Sequence, residues 1–472
     1  MISPHHIDEL SQIVGPKGTT TDTVELEPFI TEWRDKFVGH TPLMLSPKTT
    51  SEAARVISYC NQYKIPIVPQ GGNTGLVGGG IPGLESSQEV LLSTRRMKAA
   101  PVVNSSDFAL VAEAGCTVAA MQDAAAEKDR LFGLSLASEG SCTAGGIAAT
   151  NAGGVHVIRY GTTRAMVLGV EAILPDGTII DELSGLRKDN TGYPLSQLLI
   201  GAEGTLGFIT KVCFRLFPRE LSRATAWLAV PSPQAALALL SKAREISEDQ
   251  VSVFELMDRS ALEFTYRHIP GTRDPLVASS PWYVLVETAS SAQNSDVGGR
   301  MQTLLESALA NGLITDGAVA QSIDQRKLFW RNRESISEAQ KLEGGSIKHD
   351  VSVPLGRIAA FIESTSDALL KSFPGVRVTP FGHLGDGNLH FNVMQPQNTD
   401  KAAFLKQWGA MNRLVHDQVI AHGGSISAEH GIGVLKKAEL LRTKPAAEMA
   451  AMKAIKKALD PNSIMNPRCL FD

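Results

Sequence analysis

Two histidines seven residues apart, His383 and His390, flank a Gly-Asp-Gly turn in "TPFGHLGDGNLHFNVM", and a third stands beside a carboxylate, Glu429 and His430, in "SAEHGIG". If the residues after the turn form a strand, alternation places His390 and Asn392 on one face and Leu389, Phe391 and Val393 on the other. Two imidazoles and one carboxylate that leave coordination positions open are the donor set of a catalytic divalent-metal site, and these ligand types suit zinc. Histidines hydrogen-bonded within their own loops would show the same spacing, so spacing alone leaves both readings standing. Upstream, "FWRNRESISEAQKLEGGSIKHDVSVP" offers Arg333 on a predicted helix and Lys348 on a predicted strand. Arginine can clamp a carboxylate with two parallel hydrogen bonds and lysine supplies a point charge. A solvated charged face is the ordinary alternative, and it is kept for Arg331.

A second kind of chemistry is written in glycine. The stretch "PQGGNTGLVGGGIP", Pro69 to Pro82, holds six glycines between Gly71 and Gly80. It has no lysine, which excludes a Walker A loop, and its GxGxxG match at Gly78, Gly80 and Gly83 runs into turn and strand rather than the helix that a dinucleotide fingerprint must open. What survives is a run of backbone N–H groups able to cup an anion, with Asn73 and Thr74 as added side-chain donors, or else a plain turn needing positive φ. Two further segments, "SEGSCTAGGIAATNAGGVHVIRYGTTR" and "LLIGAEGTLGFIT", repeat the density of small residues. Three such segments in one domain exceed what turns require, and an extended, flat cofactor lying across the domain accounts for them together.

The elements that must hold these residues suggest two domains and a tail. At 472 residues the chain exceeds the size of a single core. Its 43% hydrophobic and 20% charged residues and net charge of -4 describe an ordinary enzyme, without the clustered Lys and Arg of a nucleic-acid binder. A helix with Thr49 and Glu52 at capping-box spacing and an apolar face of Ala53, Val56, Ile57 and Cys60 precedes the strand "IPIVP", so the first Gly-rich loop leaves a strand end. Strand-like "EVLLS", "FALVAEAG", "AMVLGVEAILPDG" and "GFITKVCFRLFP" complete an α+β domain over residues 1–222. From 223 to 424, helices such as "SPQAALALLSKAREI", with Ser232 as cap and Pro233 at the first position, alternate with strands "VSVFELM" and "PWYVLVET". This predicts an α+β domain with an open sheet covered by helices on one side. A stripe of Phe404, Trp408, Met411, Val415 and Val419 predicts one helix, and residues 425–472 form a loop-rich C-terminal segment with a basic helix near Lys453 to Leu459. The five cysteines, odd in number and without a CxxC pair, read as reduced thiols. With no leader pattern and no run of about 18 apolar residues, a cytoplasmic protein is expected.

The three Gly-rich segments resemble the FAD-binding domain of the vanillyl-alcohol oxidase and p-cresol methylhydroxylase superfamily, in the type 4 FAD-linked oxidase branch that contains D-lactate, glycolate and D-2-hydroxyglutarate dehydrogenases. The resemblance runs from about residue 38 to the C-terminus. It implies an α+β fold: a two-part FAD-binding domain, a substrate domain with a largely antiparallel sheet, and a C-terminal segment returning to the flavin. By resemblance, Pro69, Gly71, Gly72, Asn73, Thr74 and Gly75 cradle the FAD pyrophosphate. Ser138, Gly140, Thr143, Gly145, Gly146 and Asn151 line the ribityl chain and ring. Glu203, Gly204, Gly207 and Ile209 lie toward the adenine, and Asn466 returns to the flavin. The chain departs from the family pattern at His156, where arginine is frequent, and at Arg468, where glycine is usual. Because the Pro69–Pro82 loop has no His or Cys, non-covalent FAD is expected.

The same resemblance assigns His383, His390 and Glu429 as ligands of a divalent metal, zinc by ligand type, and leaves His430 as general base, since a neutral imidazole can take a hydroxyl proton near pH 7. It gives Arg333, Ser337, Lys348 and Asn392, with His430, to the substrate. The cation in "IKHD", where lactate-type relatives carry small polar residues, suits a second carboxylate and so favours D-2-hydroxyglutarate, with D-malate as a further substrate. D-lactate or glycolate dehydrogenase is the alternative, and a non-catalytic flavin-bearing electron-transfer subunit a distant one. Electrons are expected to pass to a separate acceptor, an electron-transfer flavoprotein or a quinone-type molecule, and a homodimer is one assembly the resemblance allows.

Overall fold

The Thr49 hydroxyl accepts from the Glu52 N–H at 3.1 Å and starts the helix Thr50–Tyr63. Glu52 reaches back to the Lys48 N–H at 2.7 Å, one residue before the partner of a strict capping box. The apolar stripe Ala53, Val56, Ile57 and Cys60 is fully buried against Leu43, Leu45, Ile67 and Val90. In this computed structural model, which describes residues 2–84 and 88–471, the chain forms two compact units. The first comprises Met1–Gly154, Tyr160–Arg219 and Glu429–Asp472; the second comprises Val155–Arg159 and Glu220–Ala428. Part of the turn read before "EVLLS" falls on residues 85–87, outside the described residues.

The first unit carries two sheets. In the smaller one, Met44–Leu45, Val90–Ser93 and Ile67–Gln70 run parallel, with Thr19–Thr20 antiparallel at the edge. The larger is antiparallel, in the order Val102–Asn104, Ala109–Glu113, Phe208–Arg215, Val167–Ile173, Ile179–Asp181. The C-terminal segment joins this unit because it extends the parallel sheet: the Ile67 N–H donates to the Ile464 carbonyl at 2.7 Å and the Asn466 N–H to the Ile67 carbonyl at 2.8 Å. The Lys456 ammonium, reaching the carbonyls of Thr205 at 2.8 Å and Met465 at 2.7 Å, fixes the helix Ala446–Leu459 beside it.

The second unit is an eight-stranded antiparallel sheet whose centre is formed by Ser222–Val230, Trp282–Ser290, Val251–Asp258, Arg377–His383 and Asn388–Met394, in that spatial order. Helices cover both faces, not one. Trp227, Met257, Tyr283, Leu285 and Phe381 pack on one side with Ala261, Leu262, Phe329 and Ile336. On the other, Leu228 and Leu305 approach each other over Gly317, which has no side chain to separate them. Val251–Met257 and Tyr283–Ser290 are buried at every position, and a strand buried on both faces needs a layer on each. The largely apolar runs carry that information, since neither alternates as a half-exposed strand would. The expected single helix through Phe404 and Val419 is broken into Lys401–Leu405 and Trp408–Ala421.

Candidate active site

The first Gly-rich segment leaves the strand Ile67–Gln70 and meets the second directly. A Cβ on Gly72 would lie 1.9 Å from the Ser141 carbonyl oxygen, and one on Gly71 would lie 2.6 Å from Thr143 Oγ1. Gly145 fits against Ala114, where a Cβ would sit 2.7 Å from that residue's own Cβ. These three glycines let the segments pack closer than any side chain would allow. Gly75 and Gly140 differ: a Cβ on either would meet no atom within 4 Å, and on Gly146 it would meet only Thr143 Oγ1 at 3.3 Å. Thr143 Oγ1 is itself buried without a hydrogen-bond partner. A glycine-walled cradle with an orphaned hydroxyl fits an extended polar cofactor of the FAD kind.

Of the side chains expected to add donors to that cradle, Asn73 is otherwise occupied. Asn73, at φ 53°, donates through Nδ2 to the carbonyls of Pro28 at 3.0 Å and Thr31 at 2.9 Å. Asn151 ends the short helix Ala144–Thr150 in the left-handed region and accepts from the Arg164 N–H at 2.9 Å. Gly204 avoids Pro69, whose Cγ would lie 2.8 Å from an added Cβ, and Ile209 is a core residue of the strand Phe208–Arg215. Ser138 is half-buried and exposes part of its side chain along the second segment, as does Thr74 along the first; Gly207 lies close to the Ile173 carbonyl, 2.9 Å from an added Cβ.

Glu203 has a role the sequence did not reveal. Its half-buried carboxylate accepts from the N–H groups of Ile432 at 2.8 Å and Gly433 at 2.7 Å, which fixes the backbone just after His430. Burial raises its pKa, and the two N–H donors only partly oppose this. Gly431, at φ 78°, lets the loop pass: a Cβ there would lie 2.8 Å from Glu203 Oε1. Within this loop a carboxylate oxygen of Glu429 and a ring nitrogen of His430 lie within 4.8 Å of each other. Asn466 donates to the carbonyls of Gly79 at 3.0 Å and Glu203 at 2.8 Å, tying the tail to both Gly-rich segments. Arg468, the departure from glycine, forms a buried ion pair with Glu89 and donates to the Ile81 carbonyl at 2.7 Å, while Glu89 also accepts from the Gly83 N–H at 2.6 Å.

In the second unit, His383 ends the strand Arg377–His383 and His390 lies on Asn388–Met394, their rings 5.5 Å apart and their nearest donor nitrogens within 4.8 Å. Asp350 is the cross-strand partner of His390, and its carbonyl accepts from the Ala428 N–H at 3.4 Å; Glu429 is the next residue of the chain. Beneath His383 sits Glu255, fully buried, accepting from His383 Nδ1 at 2.6 Å through Oε1 and from Arg333 Nε at 2.7 Å and Nη2 at 2.6 Å through Oε2. Burial would raise the Glu255 carboxyl, but His383 and Arg333 outweigh it and hold it well below the usual range. Arg333 therefore spends two N–H groups on Glu255 instead of reserving its whole fork for a ligand, and its guanidinium lies 4.9 Å from the Phe381 ring centre. Asn392 is likewise committed: Nδ2 donates to Gln340 at 2.8 Å and Oδ1 accepts from the His349 N–H at 3.3 Å. Ser337 is exposed, and its carbonyl accepts from Lys348 Nζ at 3.3 Å. Lys348 lies in the gap between the strands Ser346–Ile347 and Asp350–Ser352, not on a strand.

A family model described as FAD linked oxidases, C-terminal domain, matches residues 220–470, and one described as FAD binding domain matches residues 42–182. The chain belongs to the FAD-linked oxidases. Among the curated relatives of this FAD-linked oxidase, mitochondrial D-2-hydroxyglutarate dehydrogenase of Arabidopsis thaliana is 37% identical over 461 residues, 98% of this chain and 80% of that one. The corresponding Bos taurus protein is 38% identical over 468 residues, 99% and 83% of the two chains. A putative D-lactate dehydrogenase of Schizosaccharomyces pombe is 38% identical over 483 residues, 99% and 90%. In fold, p-cresol methylhydroxylase with substrate bound superposes with a TM-score of 0.76 over 99% of this chain and 96% of that one, at 16% identity.

Sequence reasoning about this FAD-linked oxidase missed Glu255, Gln340 and the anchoring role of Glu203. The one available signal was a glutamate inside an apolar strand run, "VSVFELM", since a carboxylate there must find cations or cost several kcal/mol.

Proposed function

We propose that this flavoenzyme is a D-2-hydroxy acid dehydrogenase that converts D-2-hydroxyglutarate, and less readily D-malate, to the 2-oxo acid. The observation that carries the reading is the cluster on one face of the second unit's sheet, where two imidazoles stand within 4.8 Å of each other above a carboxylate that also holds Arg333. The relatives named for D-2-hydroxyglutarate support the substrate class. FAD, bound without a covalent link in the glycine cradle, would supply the hydride acceptor, and a divalent cation, zinc by ligand type, would supply a Lewis acid. His383, His390 and Glu429 are the residues to hold that cation: two imidazoles and a carboxylate match its donor preferences and leave positions for a ligand. His430 takes the hydroxyl proton, and its loop is kept in place by Glu203. Lys348 and the remaining Nη1 edge of Arg333 meet the carboxylates of the acid, with Ser337 beside them.

Electrons then leave to a separate acceptor, an electron-transfer flavoprotein or quinone. Among the described residues no helix is long and apolar enough to cross a membrane. All five cysteines are buried free thiols, which fits a reducing compartment, and the cytoplasm is the one we propose.

The test is anaerobic reduction of the flavin absorbance by D-2-hydroxyglutarate, D-malate, D-lactate and glycolate, compared as kcat/KM. D-2-hydroxyglutarate is expected to lead by at least tenfold on the order of one charge-assisted contact. Preference for D-lactate or glycolate would transfer the assignment to that alternative, which the Schizosaccharomyces pombe relative favours by name. No reduction by any of the four would overturn both.

A further inference from the structure

We propose that Glu255 is the positioning residue of this site, its two carboxylate oxygens setting the donor nitrogen of His383 and the aim of Arg333 together. The inference rests on the reading of His383 and His390 as metal ligands. Glu255 and His383 are direct cross-strand partners, so both side chains leave the sheet on the same face, and a one-residue slip would part them. Arginine can only donate, and its Nε and Nη2 both fill Oε2. Oε1 is left to accept from His383 Nδ1, at 2.6 Å. An imidazole that gives its Nδ1 proton to a carboxylate keeps its lone pair on Nε2, at the opposite edge of the ring, and gains basicity as a ligand. Arg333 is held from the other side by Phe381, whose ring also lies 5.0 Å from that of His390. The two groups assigned to metal and to substrate are thus fixed by one buried carboxylate.

A glutamine at this position breaks the arrangement without changing its shape. The amide oxygen can serve Arg333, which turns the NH₂ toward His383 Nδ1 and moves the ring proton to Nε2, or it can serve His383 and set NH₂ against the guanidinium. The matched control is Glu287, equally buried on the same sheet but bonded to Arg326, Arg223, Trp330 and Thr225, with no histidine contact among the described residues.

Zinc binding to the metal-stripped flavoprotein, measured by competition with a chromophoric chelator, reads the effect without turnover. Glu255→Gln is expected to weaken zinc binding about 10–100-fold, Glu255→Asp by less, and Glu287→Gln by under about twofold although it also lowers the melting temperature. Should Glu255→Gln not fold, Glu255→Asp carries the test. If His383→Ala abolishes zinc binding while both Glu255 variants bind like wild type, the positioning role is overturned and the metal site stands. If wild type and His383→Ala bind zinc equally, the metal reading fails and the inference falls with it.

Discussion

In the first unit the Gly-rich segments meet because side chains are missing, whereas in the second the polar site stands because each side chain has a partner. Gly71, Gly72 and Gly145 allow contacts that any Cβ would block, and their job follows from space alone. Arg333, His383 and Asn392 hold their positions through Glu255, Gln340 and the His349 backbone, and their job depends on neighbours far away in sequence. Asn73, Asn151 and Glu203 belong to the second kind although they sit in the first unit. A glycine motif can therefore be transferred residue by residue with some safety, while a polar residue in the same motif can be present and serve a different purpose.

The strongest way to break this contrast is to fill the glycines. Gly72→Ala should cost roughly 2–4 kcal/mol, because the Ser141 carbonyl must move from a position 1.9 Å from the new carbon. The melting temperature of flavin-stripped protein should fall accordingly. Gly75→Ala meets nothing within 4 Å, so the stripped protein should melt within a degree or two of wild type while flavin binding, followed by fluorescence, weakens about tenfold. Equal behaviour of the two variants would mean that the distinction between packing glycines and cradle glycines is wrong.

A smaller effect tests the polar half. Asn392→Leu removes the bonds to Gln340 and to the His349 N–H and should cost about 1–3 kcal/mol, a drop of several degrees for a unit of this size. Well below the melting temperature, KM for the acid should stay within about twofold. A tenfold rise in KM with unchanged melting would return Asn392 to the substrate, as the sequence suggested.

What the sequence made legible follows the same division. The helix Thr50–Tyr63, the strand Ile67–Gln70 feeding the first loop, and the pairing of His390 and Asn392 on one strand face were all set by local pattern. The helix Ala144–Thr150 was not, because Gly145 and Gly146 argue against helix by propensity and only the close approach to Ala114 repays them. Lys348 falls in a break between two short strands that nothing local marks, so the pattern alone places it on a strand. Glu255 is not legible in the sequence because its meaning lies in residues 78 and 128 positions away.

Asp258 sharpens the comparison most finely, because it lies three residues beyond Glu255 on the same strand and is shifted the other way. Glu255 is fully buried against the Arg333 guanidinium and the His383 ring N–H. Asp258, half-buried at the strand end, has only neutral donors, the Ser260 N–H at 2.8 Å, the Ser260 hydroxyl and the Ala261 N–H, to set against desolvation and the nearby Glu263. Burial raises its pKa from the ordinary 3.8 to about 6. Between those values the folded protein holds a proton that the unfolded chain has released. Stability from this group is therefore present at low pH and lost as pH rises toward 6. Asparagine keeps the helix cap and does not titrate. Thermal unfolding of wild type and Asp258→Asn at pH 4 and pH 7 should show the variant gaining on wild type by on the order of 2 kcal/mol at the higher pH. Parallel pH profiles would mean that Asp258 is ionised at both, and that burial without a cation does not separate it from Glu255.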